Sequence, residues 1–210
     1  MSLLLARSLA LSVVVVAIAG AAEFTLPAAW AGIKIGAAEG NPAVINGKPL
    51  WRVDQVWPAD PTEFDDYVPM TWTGKDWGVQ ANGFGGQPGA TTAGKTISLG
   101  IRGPWDGASA SRTAALVFIS PVAGAYTISS KLDVSRWAGD QNIAVHLYRR
   151  DPVKKSVRPV AEIPVEVKEG NVLAATATLA AGEELLFIAE IGAFHTAGGV
   201  TFRDLLITGP

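Results

Sequence analysis

The side chains of His146, Tyr148 and Arg150 lie two residues apart and could act together on a ligand. The alternating positions of the same segment are apolar: Ile143, Val145 and Leu147. Alternate residues of a β-strand point to opposite faces, so the pattern predicts a strand whose polar row faces away from the core. Arginine can bind carboxylates or hydroxyls, tyrosine can stack on a sugar ring, and histidine can transfer a proton. The row therefore suits a polysaccharide, although an ordinary solvent-facing strand has the same pattern.

Two tryptophans extend this hypothesis. Trp105 and Trp137 both lie in short turn-like segments that contain Gly and Asp. A tryptophan exposed in a loop often marks a binding platform, so we include both in the candidate ligand site. The alternative is that each ring folds back over an end of the protein. Four further tryptophans are interpreted as packing residues: Trp51, Trp57, Trp72 and Trp77.

Metal, cofactor and nucleophile signals are weak. The chain has no cysteine, which excludes disulfides and thiolate metal sites. No G-x-S-x-G motif supports a serine nucleophile, and the two histidines, His146 and His195, lie far apart in the sequence. No cofactor is predicted. A structural calcium ion is left open, with oxygen ligands from Asp65-Asp66, Asp76 and Asp106, although no spaced calcium-binding loop is present.

One segment matches the residue pattern of a nucleotide-binding motif but lacks the strand and helix that the motif needs. Residues Gly89–Thr96 match G-x-x-x-x-G-K-[ST] at every required position. A phosphate-binding loop needs a buried strand before it and a helix after it. The preceding Asn82–Pro88 is too rich in glycine for a buried strand, and the following Ile97–Pro104 alternates as a strand does. We therefore expect no nucleotide to bind.

The charge balance excludes two classes of partner. The chain carries 17 Lys and Arg against 19 Asp and Glu, a net charge of −2. We find no basic run and no acidic tail. Nucleic acids and anionic membrane surfaces are bound by clustered Lys and Arg, so neither is expected as a partner.

The first residues resemble a secretory signal peptide. Arg7 precedes the apolar and small-residue stretch Leu9–Ala22, which ends in small residues at the spacing that signal peptidase requires. The stretch is short for a membrane span, although an uncleaved anchor is the alternative. We predict a signal peptide at 1–22, cleavage near Ala21 or Ala22, and a secreted or periplasmic protein with one domain at 23–210.

The remaining sequence predicts strands rather than helices. Gly and Pro divide it into short alternating segments rich in Val, Ile, Thr, Phe and Tyr, which is typical of a sandwich or barrel. The region Trp57–Lys95 is loop-like and rich in Trp, Gly and Pro. The predicted strands are Lys34–Ile35, Leu50–Val56, Thr96–Arg102, Thr113–Ser120, Ala125–Lys131, Ile143–Arg150, Val157–Val167, Val172–Leu179, Leu185–Ile191 and Thr201–Thr208.

Three segments of the second half carry a family resemblance. Phe118–Ile128 resembles a strand, a Pro and Gly turn, and a second strand that begins with tyrosine. Leu179–Phe187 and Val200–Ile207 look like the closing strand pair of the same modules. They are similar to galactose-binding-like and other carbohydrate-binding jelly rolls of exported bacterial proteins. The resemblance implies an all-β, antiparallel jelly-roll β-sandwich with a long loop region.

Three functions follow from these observations. The leading hypothesis is a secreted, non-catalytic carbohydrate-binding module that uses Trp105, Trp137 and Tyr148 for stacking, and His146 and Arg150 for hydrogen bonds. Its partner would be an extracellular carbohydrate. One alternative is a structural or adhesive module that docks to another exported protein. The other is a polysaccharide lyase, in which the Tyr148 row would supply proton transfer and neutralise a uronate.

Overall fold

The fold consists of β-strands in antiparallel pairs. The computed structural model describes residues 20–26, 43–56, 62–69, 71–72, 77–78, 90–93, 96–102, 112–136, 143–160, 165–166, 171–191 and 197–210. Within these ranges the chain forms sixteen strands and one 3-10 turn, Phe64–Asp66, but no α-helix. The strands are β1 (Ala22–Thr25), β2 (Ala43–Ile45), β3 (Lys48–Val56), β4 (Tyr67–Pro69), β5 (Thr71–Trp72), β6 (Trp77–Gly78), β7 (Ala90–Ala93), β8 (Thr96–Arg102), β9 (Arg112–Ile119), β10 (Gly124–Arg136), β11 (Ile143–Asp151), β12 (Ser156–Pro159), β13 (Val165–Glu166), β14 (Asn171–Leu179), β15 (Glu184–Ile191) and β16 (Ala197–Gly209).

The first layer of the sandwich holds the predicted polar row. Its strand order is β12, β11, β15, β9 and β3, and every neighbouring pair is antiparallel. Strand β13 lies beside the start of β11, and β2 and β4 lie beside β3. Among the described residues, strand β11 thus has β15 on one side and the short strands β12 and β13 on the other.

The second layer has the order β14, β10, β16, β8 and β7. Strand β1 pairs with the last residues of β16, with Ala22 opposite Gly209. The end of β8 also pairs with β9, where Ile101 lies opposite Thr113. This pairing connects the two layers at one edge. The antiparallel β-sandwich predicted from the sequence is confirmed.

The core lies between the layers and is built from alternating residues of both. In β14 the burial alternates along the strand, so Leu173, Ala177 and Leu179 are buried while Thr176 and Thr178 are exposed. Aromatic rings join the two layers at the centre. Phe187 of β15 and Phe202 of β16 meet edge to face, with ring centroids 5.9 Å apart. Such pairs add to the stabilisation from apolar burial.

The turns between strands contain the residue types that their backbone conformations require. The connection Pro121–Gly124 joins β9 to β10, and Gly182 adopts a φ of 82° between β14 and β15. Asn46 and Gly47 both have positive φ, 51° and 75°, in the two-residue connection between β2 and β3. Two positive φ values are the requirement of the hairpin turn that Asn-Gly favours.

Most of the predicted strands that fall on described residues are present, with shifted ends. Two details differ. The predicted strand Val157–Val167 is divided into β12 and β13. The region Trp57–Lys95 contains β4, β5, β6 and β7, so it is not entirely without regular structure. Its backbone pairing could not be predicted from two- to four-residue segments without a clear alternation. The predicted strand Lys34–Ile35 lies outside the described residues.

Strand β1 begins where the sequence predicts that the exported protein starts. The predicted signal peptide lies mostly in residues 1–19, which are outside the described residues. In the described ranges the chain forms no helix of the length and apolar character needed to cross a membrane. Cleavage near Ala21 or Ala22, and one domain at 23–210, stay predictions.

Candidate functional site

The predicted polar row lies on the outer face of the first layer. Ile143, Val145 and Leu147 of β11 are buried in the core. His146, Tyr148 and Arg150 alternate with them and point to the opposite face, where each is partly exposed. The alternation read from the sequence therefore gives the correct side-chain directions along β11.

This outer face is apolar at its centre. The residues of β15 opposite the polar row are Ile188, Leu186 and Glu184, so two of the three are apolar. A second cluster of buried side chains forms on this face: Val56, Tyr67, Ala115, Val117, Val157, Leu186 and Ile188. Phe64, Ile119 and Tyr148 pack against it and are partly exposed. Residues from 64 to 67 thus cover part of the face, and Tyr148 lies at the border of the covered region.

His146 and Tyr148 present their rings side by side along β11. The ring centroids are 6.0 Å apart and the ring planes differ by only 18°. Both residues also make further interactions within the protein. The two partly exposed rings are stacked on each other, so together they offer a ligand apolar aromatic surface but not a single flat face.

Arg150 points to the same face but is bound within the protein. Its Nη1 donates to Oε2 of Glu184 at 2.9 Å, and its Nη2 donates to the backbone oxygen of Phe64 at 3.2 Å. The guanidinium lies 4.0 Å from the centroid of the Phe64 ring and 5.1 Å from that of Tyr67. Only 13% of the side chain is exposed. Arg150 therefore holds residues 64 to 67 against the sheet.

Glu184 connects Arg150 to a second ion pair. Arg52 of β3 donates to Glu184 from Nη1 at 2.9 Å and from Nη2 at 3.1 Å. Arg52 also binds Asp54 through Nε and Nη2, both at 2.7 Å. Each of the four side chains is at most 14% exposed. The four residues, here called the ion network, are two cations and two anions whose charges balance.

Burial and ion pairing together shift the pKa values of Asp54 and Arg52 in this network. Burial raises the pKa of the Asp54 carboxyl, while the hydrogen bonds and charge of Arg52 act against that rise. Burial alone would lower the pKa of Arg52, but the hydrogen bonds and charges of Asp54 and Glu184 hold it above its ordinary value. The guanidinium of Arg52 is therefore always charged, and it supplies the cation that the two buried carboxylates need.

The other candidate residues fall in two groups. Trp105 and Trp137 lie outside the described residues, so their place in a ligand site stays a prediction. Of the calcium candidates, Asp65 and Asp66 lie in the 3-10 turn, whereas Asp76 and Asp106 lie outside the described residues. No group of three potential metal ligands occurs within the described ranges. A structural calcium ion also stays a prediction.

The phosphate-loop pattern has the wrong structural context for nucleotide binding. Ala90–Ala93 and Thr96–Arg102 form the antiparallel strands β7 and β8, with Ala93 opposite Thr96. The residue after the lysine of the pattern, Thr96, therefore starts a strand. A phosphate-binding loop requires a helix at that position, because the helix N-terminus binds the phosphates. The strand predicted after the lysine is confirmed at Thr96–Arg102, and the absence of nucleotide binding stays a prediction.

Sequence reasoning missed Arg52, Asp54, Glu184 and Phe64. Arg52 and Asp54 alternate with Trp51 and Val53 in an otherwise apolar strand, which was a signal for a polar pair on one face. Glu184 is 132 residues from Arg52, so no local pattern could connect them. Phe64 belongs to the loop-like region, in which the sequence predicts no pairing.

Comparisons with known proteins give a likeness of fold. No protein-family model matches the chain, and no curated protein matches it. Among solved structures the chain is similar to a family 22 xylan-binding domain from Paenibacillus barcinonensis, with 16% identity, a TM-score of 0.39, and coverage of 60% of this chain and 83% of that one. It is also similar to a mutant of a family 29 carbohydrate-binding module, with 11% identity, a TM-score of 0.37, and coverage of 75% and 92%.

A third similar structure is a family 61 carbohydrate-binding module in complex with β-1,4-galactotriose, with 12% identity and a TM-score of 0.33. That match covers 76% of this chain and 88% of the module. The fold-level resemblance to carbohydrate-binding β-sandwiches is thus found among solved structures as well. At these identities and TM-scores the likeness carries no conclusion about function, and the ligand has to be argued from the chain's own residues.

Proposed function

We propose that this chain is a secreted, non-catalytic carbohydrate-binding module whose ligand lies along β11. The observation that carries the proposal is the pair of nearly parallel rings of His146 and Tyr148, with centroids 6.0 Å apart on the outer face of the first layer. Sugar rings have apolar faces and polar edges. A partly exposed aromatic row beside hydrogen-bonding groups offers a partner to both.

The surroundings of the row support a fixed binding surface. Tyr148 packs against the second apolar cluster, which limits its rotation. The neighbouring ion network ties β3, β15 and β11 together through Arg52, Glu184 and Arg150. A preorganised surface loses little conformational entropy when it binds a ligand. We propose that Trp105 and Trp137 add to this surface.

Arg150 has a different role in this proposal from His146 and Tyr148. Its charge is already neutralised by Glu184, and its guanidinium is covered by Phe64. This favours binding over the lyase alternative, in which an arginine has to neutralise a uronate carboxylate. Direct contact between Arg150 and a ligand stays a prediction.

Export is part of the proposal. β1 begins at Ala22, so cleavage near Ala21 or Ala22 leaves the pairing of Glu23, Phe24 and Thr25 with β16 in place. Residues before that point are not needed for the described sheet. N-terminal sequencing of the protein recovered from the periplasm or medium should give Ala22 or Glu23 as the first residue. A first residue at Met1 would contradict export with cleavage.

Binding of the purified protein to a glycan array and to insoluble polysaccharides, with and without calcium, tests the main proposal. We expect reproducible binding to at least one glycan, and a loss of about tenfold or more on Tyr148→Ala or His146→Ala. Trp105→Ala and Trp137→Ala should also weaken binding. Thr176→Ala, on the outer face of the second layer, is the surface control and should bind as the unaltered protein does.

The fold of each variant must be checked, because Tyr148 packs against apolar side chains. Thermal denaturation and circular dichroism show whether Tyr148→Ala is folded at the assay temperature. His146→Ala provides a second readout on the same row. If both folded variants bind every recognised glycan as tightly as the unaltered protein, the proposed site on β11 is wrong. If the protein binds no glycan at all, the proposed function is wrong.

A further inference from the structure

Strand β14 forms an edge of the second layer. It pairs with β10 in one unbroken register, and it has no second strand partner among the described residues. A β-strand has backbone N–H and C=O groups on both sides, so an edge strand leaves one row of them for another strand. Arg149 reaches only the far end of this row, where it donates to the backbone oxygen of Thr178 at 3.3 Å. The segment Val172–Thr178 therefore presents a continuous edge.

The composition of β14 does not block the addition of another strand. The segment Val172–Thr178 reads VLAATAT, without a charged residue and without proline. Native edge strands usually prevent association by charged side chains, proline, bulges or short length. Val172 is 61% exposed, and the side chains that alternate with it on the outer face, Ala174, Thr176 and Thr178, are exposed too. The edge is thus long, regular and uncharged.

The described edge of the first layer has the opposite character. β12 has only four residues, and two of them are Arg158 and Pro159. Arg158 is exposed and lies opposite a second cation, Arg149. Short length, charge and proline are all features that keep further strands from adding to an edge. The same chain has these features at β12 and lacks them at β14.

The side chains of β14 fit an antiparallel copy of the same strand. A two-fold axis at Ala175 places Leu173 of one copy opposite Ala177 of the other. In this register the outer face pairs Ala174 with Thr176, and Val172 with Thr178. Apolar, small and β-branched side chains pack well across a strand pair, and no like charges meet. The two-fold pairing occupies both open edges at once, so association ends at a dimer.

We propose that β14 pairs antiparallel with β14 of a second copy of this chain, so that the two second layers form one continuous sheet. The pairing uses Val172–Thr178 and none of the residues of the proposed glycan site, which lies on the first layer. The inference is therefore independent of the proposed function. It assigns β14 as an interaction surface whose partner is the protein itself.

The register allows a test by charge, because Ala174 of each copy faces Thr176 of the other. One variant combines Ala174→Lys with Thr176→Lys, and the second combines Ala174→Glu with Thr176→Glu. Both positions are exposed on the outer face, so the new side chains can reach solvent in the monomer. In a dimer of either variant, like charges lie directly opposite each other, which destabilises a strand pair. In a mixed dimer, opposite charges meet instead.

Sedimentation velocity of the purified protein over about a hundredfold range of concentration measures the association. We expect the unaltered protein to shift from monomer to dimer as its concentration rises. Each charged variant should dimerise about tenfold more weakly or not at all. An equimolar mixture of the two variants, one of them labelled, should recover a dimer that contains one copy of each. Added salt should weaken this mixed dimer, because its ion pairs are exposed.

A control variant separates the effect of net charge from the effect of position. Thr25→Lys combined with Val68→Lys adds the same two charges at exposed positions of β1 and β4. This variant should dimerise as the unaltered protein does. Circular dichroism and thermal denaturation check that each variant is folded before it is mixed. Hydrogen exchange locates the contact, since the amides of Val172–Thr178 should gain protection as the protein concentration rises.

Several results would overturn the pairing of β14. The unaltered protein could stay monomeric over the whole range of concentration. The charged variants could dimerise as the unaltered protein does, or their mixture could fail to recover the dimer although both are folded. Assemblies larger than a dimer, with the same dependence on Ala174 and Thr176, would overturn the two-fold register. Each of these results leaves the glycan-binding proposal untouched, because that proposal is tested by binding and by different residues.

Discussion

Arg150 and Glu184 lie directly opposite each other on β11 and β15, and Nη1 of Arg150 is 2.9 Å from Oε2 of Glu184. Glu184 also accepts two hydrogen bonds from Arg52. One carboxylate therefore serves two largely buried guanidinium groups on the outer face of the first layer. Arg52 likewise binds two carboxylates, Asp54 and Glu184, so Arg52 and Glu184 each take part in two ion pairs.

Replacement of Glu184 by glutamine should destabilise the fold strongly. Glu184→Gln leaves Arg52 and Arg150 with a single anion, Asp54, in a site that is at most 14% exposed. Removal of one partner of a buried ion pair costs about 3–5 kcal/mol in the free energy of unfolding. Urea denaturation measures this loss. We expect the combination of Glu184→Gln with Arg150→Met to be more stable than Glu184→Gln alone, and the reverse order would contradict the pairing.

Phe64 should stabilise the protein partly through the charge of Arg150. The guanidinium lies 4.0 Å from the centroid of the Phe64 ring. Phe64→Leu keeps most of the apolar volume but removes the aromatic face, so we expect a loss of about 1–2 kcal/mol. The loss should be smaller when Arg150 is already methionine. A double-mutant cycle measured by thermal denaturation checks this, and equal losses in both backgrounds would show that the ring does not act through Arg150.

Asp151 should make stability depend on pH in the acid range. The pKa of Asp151 lies below its ordinary value of 3.8, chiefly because Lys154 donates a hydrogen bond to the carboxylate. A lowered pKa in the folded state stabilises the fold above pH 3.8, and this stabilisation is lost as the pH falls through the folded-state pKa. Asp151→Asn removes the charge but can keep the acceptor for the backbone N–H groups of Val153 and Lys154.

The measurement for Asp151 is the denaturation midpoint of both proteins between pH 7 and pH 2. We expect Asp151→Asn to be less stable near neutral pH, and we expect the difference to close below about pH 4. The effect should be small because Lys154 is 75% exposed. Asp65→Asn, an exposed acidic residue of the 3-10 turn, controls for net charge. A difference that is constant over this pH range would rule out the ion pair as its cause.

Gly209 should not tolerate a side chain. A Cβ atom at this position would overlap the ring of Tyr126, which is fully buried and donates a hydrogen bond to the backbone oxygen of Val122 at 2.6 Å. The ring therefore has little room to move, and Gly209→Ala should cost about 1–3 kcal/mol. The matched control is Gly124→Ala, whose Cβ would meet the side chain of Pro210. Pro210 is exposed, whereas Tyr126 is fully buried, so we expect a smaller loss there.

Local patterns in the sequence were sufficient for the strands of the second half. β11 alternates apolar and polar residues and is buried on the predicted side, and β14 forms where a strand is predicted. Leu185–Phe187 of β15 is apolar at every position, which is typical of a central strand, and the structure buries it on both faces. These predictions succeed because side chains alternate between the two faces of a strand, and this alternation can be read from a short stretch of sequence.

The sequence by itself determined the fold class, the direction of each side chain on β11, and the absence of a helix after Lys95. Only the tertiary structure decided the surroundings of that strand. It brings Glu184 to Arg52 across 132 residues and places Phe64 over Arg150. These contacts arise from strand order and register, which local alternation does not contain, because a strand with a given face can pair with any of several partners.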